Sequence, residues 1–182
     1  MKTERVILTY KEYEALPADG RRYEIHEGEL SVTPAPSPQH QMIIANLFRV
    51  LDLHVRAKGA GIVLFAPLDV ILSESSIVQP DIVYLDSARL STISRRGIEG
   101  APTLLVEILS PTTTVIDRSA KRQLYRRYGV PYYWIVDPEA RMVEVYGLSE
   151  GEYQLITRAS GAEPTSLPPF PDLQLIPATL WP

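Results

Sequence analysis

The sequence predicts an α/β or α+β protein in which helices flank a mixed β-sheet. Strand-like and helix-like patterns alternate along its 182 residues, and hydrophobic residues make up 45% of the chain, as in globular proteins. The run TLLVEILS (103–110) is almost continuously apolar, which is typical of a central strand covered on both faces. We expect one domain over residues 1–182, with an N-terminal helix and hairpin (1–36), a core (37–147) and a C-terminal strand with a Pro-rich tail (148–182).

The first third of the chain predicts a short helix, a hairpin and a long helix. LTYKEYEAL has the Thr and Glu spacing of a capping box, and the alternation in RRYEIHEGELSV is interrupted at Gly28, which indicates strand, turn and strand. In the following segment Ser37 suits an N-cap, Pro38 suits the first helical position and Gly59 suits a C-terminal stop. Apolar residues three and four apart in this segment predict that one helix face packs on a core.

The rest of the chain predicts strands around one further helix. GIVLFAPLDVIL and VQPDIVYLD are two β-rich runs, and the polar SESS between them indicates a turn between antiparallel neighbours. ARLSTISRRGIEGAP predicts a short helix and a loop. TVIDRSAKRQLYRRYG predicts a helix that ends before Gly129, YYWIVDPEARMVEVYGL predicts two strands around a turn, and EYQLITRAS predicts another strand.

The Pro-rich tail SLPPFPDLQLIPATLWP excludes a regular helix and an interior strand, because proline lacks an N–H donor. Its large apolar side chains can nevertheless anchor it on the surface of the protein. These side chains are Phe170, Leu173, Leu175 and Trp181.

Composition excludes several classes of function. The chain carries 18 Lys and Arg residues against 22 Asp and Glu residues, a formal net charge of −4, so nucleic-acid binding would need a local basic face. It has no cysteine, which excludes disulfides, thiolate zinc sites, iron–sulfur clusters and cysteine nucleophiles. The sequence has neither a secretory h-region nor an apolar span of about 18 residues. We therefore expect a soluble, cytoplasmic protein with no membrane role.

Two acids and one lysine stand out chemically. Asp81 precedes a predicted strand, Glu107 lies within the central strand, and Lys121 lies on the helix that follows. Because side chains alternate along a strand, Glu107 shares a face with Leu105 and Leu109, where an unpaired charge is costly. Neighbouring strands can bring Asp81 and Glu107 together, and their repulsion would raise one pKa or recruit a hard cation such as Mg²⁺.

Each of these residues also has a purely structural interpretation. An aspartate before a strand is commonly a turn or cap residue. Glu107 can pair with an arginine from a helix, and Lys121 can be a solvated helix residue. The three together predict a site more specifically than any one of them alone.

Several motifs follow one another in a distinctive order along the chain. They are YEIHEGEL, PSPQHQ, VQPDIVYLD, RGIEGAPTLLVEILSPTT and DRSAKRQLYRRYGVPYYWIVDPEARMVEVY. With the Pro-rich end they cover most of residues 10–175, and the part from Gln79 to Asp137 is the most specific. In order and spacing, these motifs resemble the Uma-type family of restriction endonucleases, within the PD-(D/E)xK nuclease superfamily.

The resemblance implies a restriction-endonuclease-like fold, an α/β fold with a mixed central sheet flanked by helices. Its elements map to a helix at 38–58, a meander at 62–72, 78–85 and 103–109, a crossover helix at 117–128 and a strand at 132–137.

The resemblance also implies a metal site. Asp81 is the PD carboxylate and Glu107 is the (D/E) carboxylate, and both would bind Mg²⁺, for which Mn²⁺ can substitute. The superfamily pattern expects a lysine two residues after the second acid, but Leu109 occupies that position. This sequence therefore departs from the pattern at a residue that is expected to act in catalysis.

In the Uma-type pattern the lysine moves to the next helix, in D-x-x-x-K-x-x-x-Y. Here the motif comprises Asp117, Lys121 and Tyr125, which share one face of a regular helix. Lys121 would orient the attacking water or contact the phosphate. Asp117, Tyr125 and Gln79 would support the site.

The remaining candidates lie in the N-terminal region and on the crossover helix. Superfamily sites often include an N-terminal acid, for which Glu24 is favoured over Glu29, and His40 is a further candidate. Phosphate binding needs cations. Arg118 and Arg122 are four residues apart and can form one DNA-binding stripe, unless they are solvated side chains with local salt bridges.

Together these features predict a Mg²⁺-dependent endonuclease that hydrolyses DNA and works as a homodimer or a higher homo-oligomer. Two alternatives stay open. One is a catalytically inactive nucleic-acid-binding or regulatory domain with the same fold, which the net charge of −4 and Leu109 in place of lysine favour. The other is a metal-dependent enzyme that acts on another phosphate ester.

Overall fold

Residues 6–33, 35–110 and 116–182 are described by the structure, a computed structural model, with the side chains of residues 116 and 117 excepted. The α-helices are α1 (Tyr10–Glu14), α2 (Pro38–Lys58) and α3 (Arg122–Arg127). A π-helical turn covers Ile116–Lys121, and 3₁₀ helices cover Ser87–Thr92 and Pro177–Leu180. None of the helices in these ranges is long and apolar enough to cross a membrane.

The described strands form a six-stranded sheet, a five-stranded sheet and a two-stranded hairpin. In chain order they are β1 (Arg22–His26), β2 (Glu29–Thr33), β3 (Gly61–Phe65), β4 (Val70–Ser73), β5 (Ser76–Val78), β6 (Ile82–Asp86), β7 (Ile98–Glu99), β8 (Leu104–Ile108), β9 (Tyr132–Asp137), β10 (Met142–Ser149), β11 (Glu152–Ser160), β12 (Thr165–Leu167) and β13 (Phe170–Leu175). The large sheet has the order β11-β10-β9-β8-β6-β3, with β8 parallel to β9, and the smaller sheet has the order β2-β1-β5-β4-β7. The predicted mixed sheet with flanking helices is confirmed.

Helix α2 begins and ends where its local signals predict. The Ser37 side chain accepts a hydrogen bond from the main-chain N–H of His40 at 3.2 Å, Pro38 is in the first turn, and Gly59 adopts the left-handed conformation that ends the helix. The apolar face of α2, which includes Leu47 and Leu51, packs in one core with the large sheet. The start of α2 therefore holds a fixed position against the end of β8.

Two strands that the sequence predicted as continuous are each divided. The predicted strand at 62–72 forms β3 in the large sheet and β4 in the small one, and the predicted strand at 78–85 forms β5 and β6. Pro67 and Pro80 lie at the two breaks and have no N–H for a strand ladder. The predicted antiparallel turn between β4 and β5 is confirmed. As a result the chain crosses between sheets at residues 79–81.

Strand β8 is the central strand that its apolar run predicted. It lies between β6 and β9, and all five of its side chains are buried. Leu104, Val106 and Ile108 pack in the core with α2, whereas Leu105 packs with Leu109 in the core on the other face. Glu107 alternates with them and belongs to the face of Leu105.

The crossover helix differs in type from the regular helix predicted at 117–128. Its first part is the π-helical turn, and α-helical geometry begins at Arg122. Helix α3 then ends at Arg127, before Gly129, and β9 follows as predicted at 132–137. Single π-helical turns are uncommon and are often found at functional sites.

The Pro-rich tail is anchored by its apolar side chains, as predicted, but it also contains two short strands. Phe170 and Leu175 are buried in the core that includes α2, and the Trp134 indole N–H donates to the carbonyl of Pro168 at 2.8 Å. Both strands of the β12–β13 hairpin are edge strands, so Pro171 interrupts no interior ladder. The exclusion of an interior strand is therefore confirmed.

We expect Gly61→Ala to destabilise the protein more than Gly129→Ala. Both glycines have positive φ, for which a Cβ costs about 1–2 kcal/mol. At Gly61 the Cβ would also overlap the carbonyl oxygen of Leu85, whereas at Gly129 it would meet no atom within 4 Å. Overpacking adds about 1–3 kcal/mol. Urea unfolding of both variants measures the difference, and equal losses of unfolding free energy would contradict the proposed overlap.

Candidate active site

Four ionisable side chains are buried together where the two sheets meet the crossover helix. Glu24 lies on β1 of the smaller sheet, Asp81 directly precedes β6, and Glu107 lies on β8. Lys121 ends the π-helical turn. Their exposed fractions are only 3%, 2%, 2% and 5%, respectively. The structure thus brings together the four residues predicted as catalytic, whose roles in catalysis stay predictions.

Lys121 connects two of the acids. Its Nζ lies 3.0 Å from Oε1 of Glu107 and 3.1 Å from Oε1 of Glu24. The Tyr125 hydroxyl donates to the same Oε1 of Glu107 at 2.6 Å. Leu109, at the position where the superfamily expects lysine, is buried in an apolar core. A lysine from the helix therefore reaches the acid that a lysine on the strand would have reached.

The two other members of the predicted helical motif have different outcomes. Tyr125 contacts Glu107, and its supporting role stays a prediction. The side chain of Asp117 lies outside the described residues, so its predicted support of Lys121 stays a prediction.

Asp81 is held by donors from three directions. Its Oδ1 accepts from Nη1 of Arg22 at 3.2 Å, and its Oδ2 accepts from the main-chain N–H of Ile108 at 2.8 Å. Nε2 of His40 lies 3.1 Å from the same Oδ2. The main-chain N–H of Asp81 donates to the carbonyl of Val106 at 3.1 Å, which places Asp81 beside the β8 segment that carries the second acid.

Glu24 and Gln79 form the support behind the site. The main-chain N–H of Gln79 donates to Oε1 of Glu24 at 2.7 Å, and Nε2 of His26 lies 3.1 Å from Oε2. The Gln79 amide donates to Oδ1 of Asp69 at 2.8 Å and to the Tyr13 hydroxyl at 3.0 Å. Gln79 therefore connects the site to α1 and to the segment before β4, and its supporting role stays a prediction.

The other two N-terminal candidates are placed differently. His40 lies at the site, where its Nε2 contacts Asp81 and lies 3.0 Å from the carbonyl oxygen of Ile108. Glu29 is exposed on β2 and does not belong to the buried group around Lys121.

Burial and nearby charges act against each other on these carboxyls. Burial raises the pKa of Glu24, but Lys121, His26 and the Gln79 N–H outweigh burial and hold this pKa well below its usual range. The same holds for Asp81, whose pKa is lowered by His40 and its other donors despite burial. Burial, together with the Glu107 charge, raises the pKa of Tyr125 far above its usual value. Glu24 and Asp81 are therefore carboxylates at neutral pH, and Tyr125 is a neutral hydrogen-bond donor.

The donor set suits a hard divalent cation. In the described part of the site, Lys121 pairs with Glu24 and Glu107, and Arg22 pairs with Asp81. Among the described side chains, no three Asp, Glu or His residues are arranged as a complete ligand group. Mg²⁺ needs no such group, because it commonly binds one or two carboxylates and keeps several waters. Asp81 directly precedes β6 and Glu107 lies on the neighbouring strand β8, so their two carboxylates fit this requirement.

Two site residues were missed by the sequence reasoning, namely Arg22 and His26. With Glu24 they occupy every second position of β1, so their side chains share one strand face, while Tyr23 and Ile25 alternate with them. This alternation was visible in RRYEIH and indicated a polar strand face. Cations on a strand are usually solvated, so this alternation alone does not assign Arg22 or His26 to a site.

The two predicted DNA-binding arginines make contacts within the chain. The Arg118 guanidinium pairs with Asp137 at 2.8 Å and Glu144 at 2.5 Å. Arg122 donates to the carbonyl of Tyr153 at 3.2 Å and lies over the ring of Tyr146. The structure favours the alternative of local pairing, and DNA contact by these residues stays a prediction.

Comparison with known proteins identifies the family and the fold of the chain. A family model described as "Uma2: Putative restriction endonuclease" matches residues 10–179. The chain belongs to the Uma2 family. A similar solved structure is described as a putative nuclease belonging to DUF820, from Anabaena variabilis ATCC 29413, with a TM-score of 0.78 and 22% identity over 95% of this chain and 97% of that chain. No curated protein matches the chain.

The similarity to the Anabaena structure shows that this Uma2 chain shares the fold of that protein. The family membership supports a nuclease in general terms. Metal dependence, cytoplasmic location and assembly into homo-oligomers stay predictions.

We expect Glu24→Gln to weaken the dependence of stability on acid pH. Because the folded pKa of Glu24 lies below its unfolded value, the unfolded chain binds the proton first as the pH falls. The ion pair therefore stabilises the fold above about pH 4.5, and its contribution is lost as the pH falls toward the folded pKa. Each such proton contributes a slope of up to about 1.4 kcal/mol per pH unit.

Denaturant unfolding in EDTA between about pH 7 and pH 2.5 measures this slope. The exposed Glu163→Gln variant controls for the loss of one carboxyl. An acid slope in Glu24→Gln as steep as that of the wild type would contradict the assignment.

Proposed function

We propose that this Uma2 protein is a divalent-metal-dependent endonuclease that hydrolyses phosphodiester bonds in DNA. The observation that carries the proposal is the position of Lys121, whose Nζ lies 3.0 Å from Glu107 beside the strand that Asp81 precedes. Two neighbouring carboxylates can hold a divalent cation that assists phosphodiester hydrolysis, and a lysine beside them can act on the water or the phosphate. The description of the family supports DNA as the substrate.

In this proposal Asp81 and Glu107 hold Mg²⁺, or Mn²⁺ in its place. The bound ion would supply an activated water and neutralise charge that develops on the phosphate. The Ile108 N–H orients the carboxylate of Asp81, and the Tyr125 hydroxyl orients that of Glu107. Both carboxylates are therefore positioned in advance, and little ordering remains to be done when substrate binds.

Lys121 would donate a hydrogen bond to the attacking water or to a phosphate oxygen. Glu24 shares the ammonium group with Glu107, and Glu24 is itself fixed by the Gln79 N–H. Because Glu24 and Glu107 hold the ammonium group between them, Glu24 acts on the reaction through Lys121.

Cleavage of supercoiled plasmid in Mg²⁺ or Mn²⁺ tests the proposal. We expect Asp81→Asn, Glu107→Gln and Lys121→Met each to lose about 100-fold or more in rate, the usual cost of removing one group that stabilises a transition state. Lys58→Met is the matched control, because Lys58 is an exposed lysine paired with Asp172 at the surface. Circular dichroism establishes that each variant is folded.

Three outcomes would overturn all or part of the proposal. If the three variants cut as fast as the wild type, the site assignment is wrong. If the wild type retards DNA in a gel but never cuts it, the chain is a catalytically inactive nucleic-acid-binding domain. If it hydrolyses a small phosphodiester but not DNA, the substrate class is wrong.

A further inference from the structure

Arg22 is a cation placed inside the acidic site. It lies on β1, two residues before Glu24, and only 18% of its side chain is exposed. Its Nη1 lies 3.2 Å from Oδ1 of Asp81, and its Nη2 donates to the carbonyl of Gln79. The guanidinium is thus fixed at two points, one of which is a carboxylate proposed to bind metal.

The two permanent cations divide the described carboxylates between them. Lys121 pairs with Glu24 and Glu107, whereas Arg22 pairs with Asp81. An arginine guanidinium stays protonated in proteins, so Arg22 is charged at any pH at which the protein is folded.

A charged guanidinium at this distance opposes a second cation on the same carboxylate. Like charges a few ångströms apart repel each other, and the repulsion is twice as large for a divalent ion as for a monovalent one. Asp81 can therefore bind either Arg22 or a divalent cation strongly, but it cannot bind both equally strongly. The planar guanidinium has five N–H donors, which also match the geometry of a phosphate group. A phosphate supplies the negative charge that Arg22 lacks when a metal ion occupies Asp81.

We propose that Arg22 is the internal counter-ion of Asp81: it competes with a divalent cation for this carboxylate, and it binds the substrate phosphate once the cation is in place. This inference rests on the proposed function. It assigns Arg22 two partners in succession, first Asp81 and then the phosphate. The partial exposure of the side chain, 18%, leaves it a route to a substrate at the surface of the site.

Binding of Mn²⁺ without DNA tests the first half. We expect Arg22→Gln to bind Mn²⁺ about tenfold more tightly than the wild type, because about 1.4 kcal/mol of repulsion corresponds to a factor of ten. Arg21→Gln is the matched control, since Arg21 is the adjacent residue, 64% of its side chain is exposed, and it pairs with Asp19. Isothermal titration calorimetry gives the affinities, and Mn²⁺ should raise the melting temperature of Arg22→Gln more than that of the wild type.

A Mn²⁺ affinity of Arg22→Gln equal to or weaker than that of the wild type would overturn the competition. So would the absence of Mn²⁺ binding by both proteins. Arg22→Lys keeps the charge, and we expect its Mn²⁺ affinity to stay within about threefold of the wild type, well below one factor of ten. This second variant decides the matter if Arg22→Gln does not fold, since a tenfold gain in Arg22→Lys would also contradict the proposal.

Binding of a fluorescent DNA duplex in Ca²⁺ tests the second half. We expect Arg22→Lys to bind the duplex about tenfold more weakly than the wild type, because lysine lacks the planar fork that contacts phosphate at two points. Equal affinities would overturn the phosphate role. The Mn²⁺ measurement uses no DNA and no turnover, so it decides the counter-ion role even if the wild type fails to cleave plasmid.

Discussion

Carboxylates buried at one corner of the molecule impose the constraint on which the rest of the site depends. A buried, unpaired carboxylate is too costly to persist in a folded protein. Glu24, Asp81 and Glu107 are therefore compensated by cations from other elements, Lys121 from the crossover helix and Arg22 from the first hairpin. These ion pairs join two sheets and a helix. Apolar packing between the same elements would leave the buried carboxylates without a compensating charge. Removing either cation would leave a buried negative charge behind.

The crossing between the two sheets at residues 79–81 determines the geometry of this site. The main-chain N–H of Gln79 donates to Glu24, and the carbonyl of Gln79 accepts from Arg22. The two peptide groups that flank this residue therefore bind side chains of opposite charge. Two residues later the Asp81 N–H bonds to Val106 and joins the large sheet. A continuous strand could not do both, because its main-chain groups would be used in one ladder. The proline between them makes the crossing possible, since it has no N–H to satisfy.

Local signals predicted much of the fold, and tertiary constraints decided the remainder. The bounds of α2 followed from Ser37, Pro38 and Gly59, each of which acts on its own few residues. The acid on β8 was visible as one charge in an apolar run. Four features were not predictable this way: the division of two strands between sheets, the π-helical turn, the hairpin in the tail and the part played by Arg22. Each depends on a partner far away in sequence, and the π-helical turn ends at a lysine whose partners lie on two other strands.

The position of the lysine changes which other residues the site requires. A lysine at position 109 would share a strand face with Glu107 and would need no further element to reach it. With Leu109 in the apolar core, the cation comes from the helix, and it is held between two acids. Glu24 is one of these acids, and its carboxylate is held by the Gln79 N–H. The position of Glu24 therefore depends on the crossing between sheets at residues 79–81. Lys121, the hairpin acid Glu24 and the crossing between sheets are therefore one arrangement, and a change in Glu24 or in the crossing acts on Lys121.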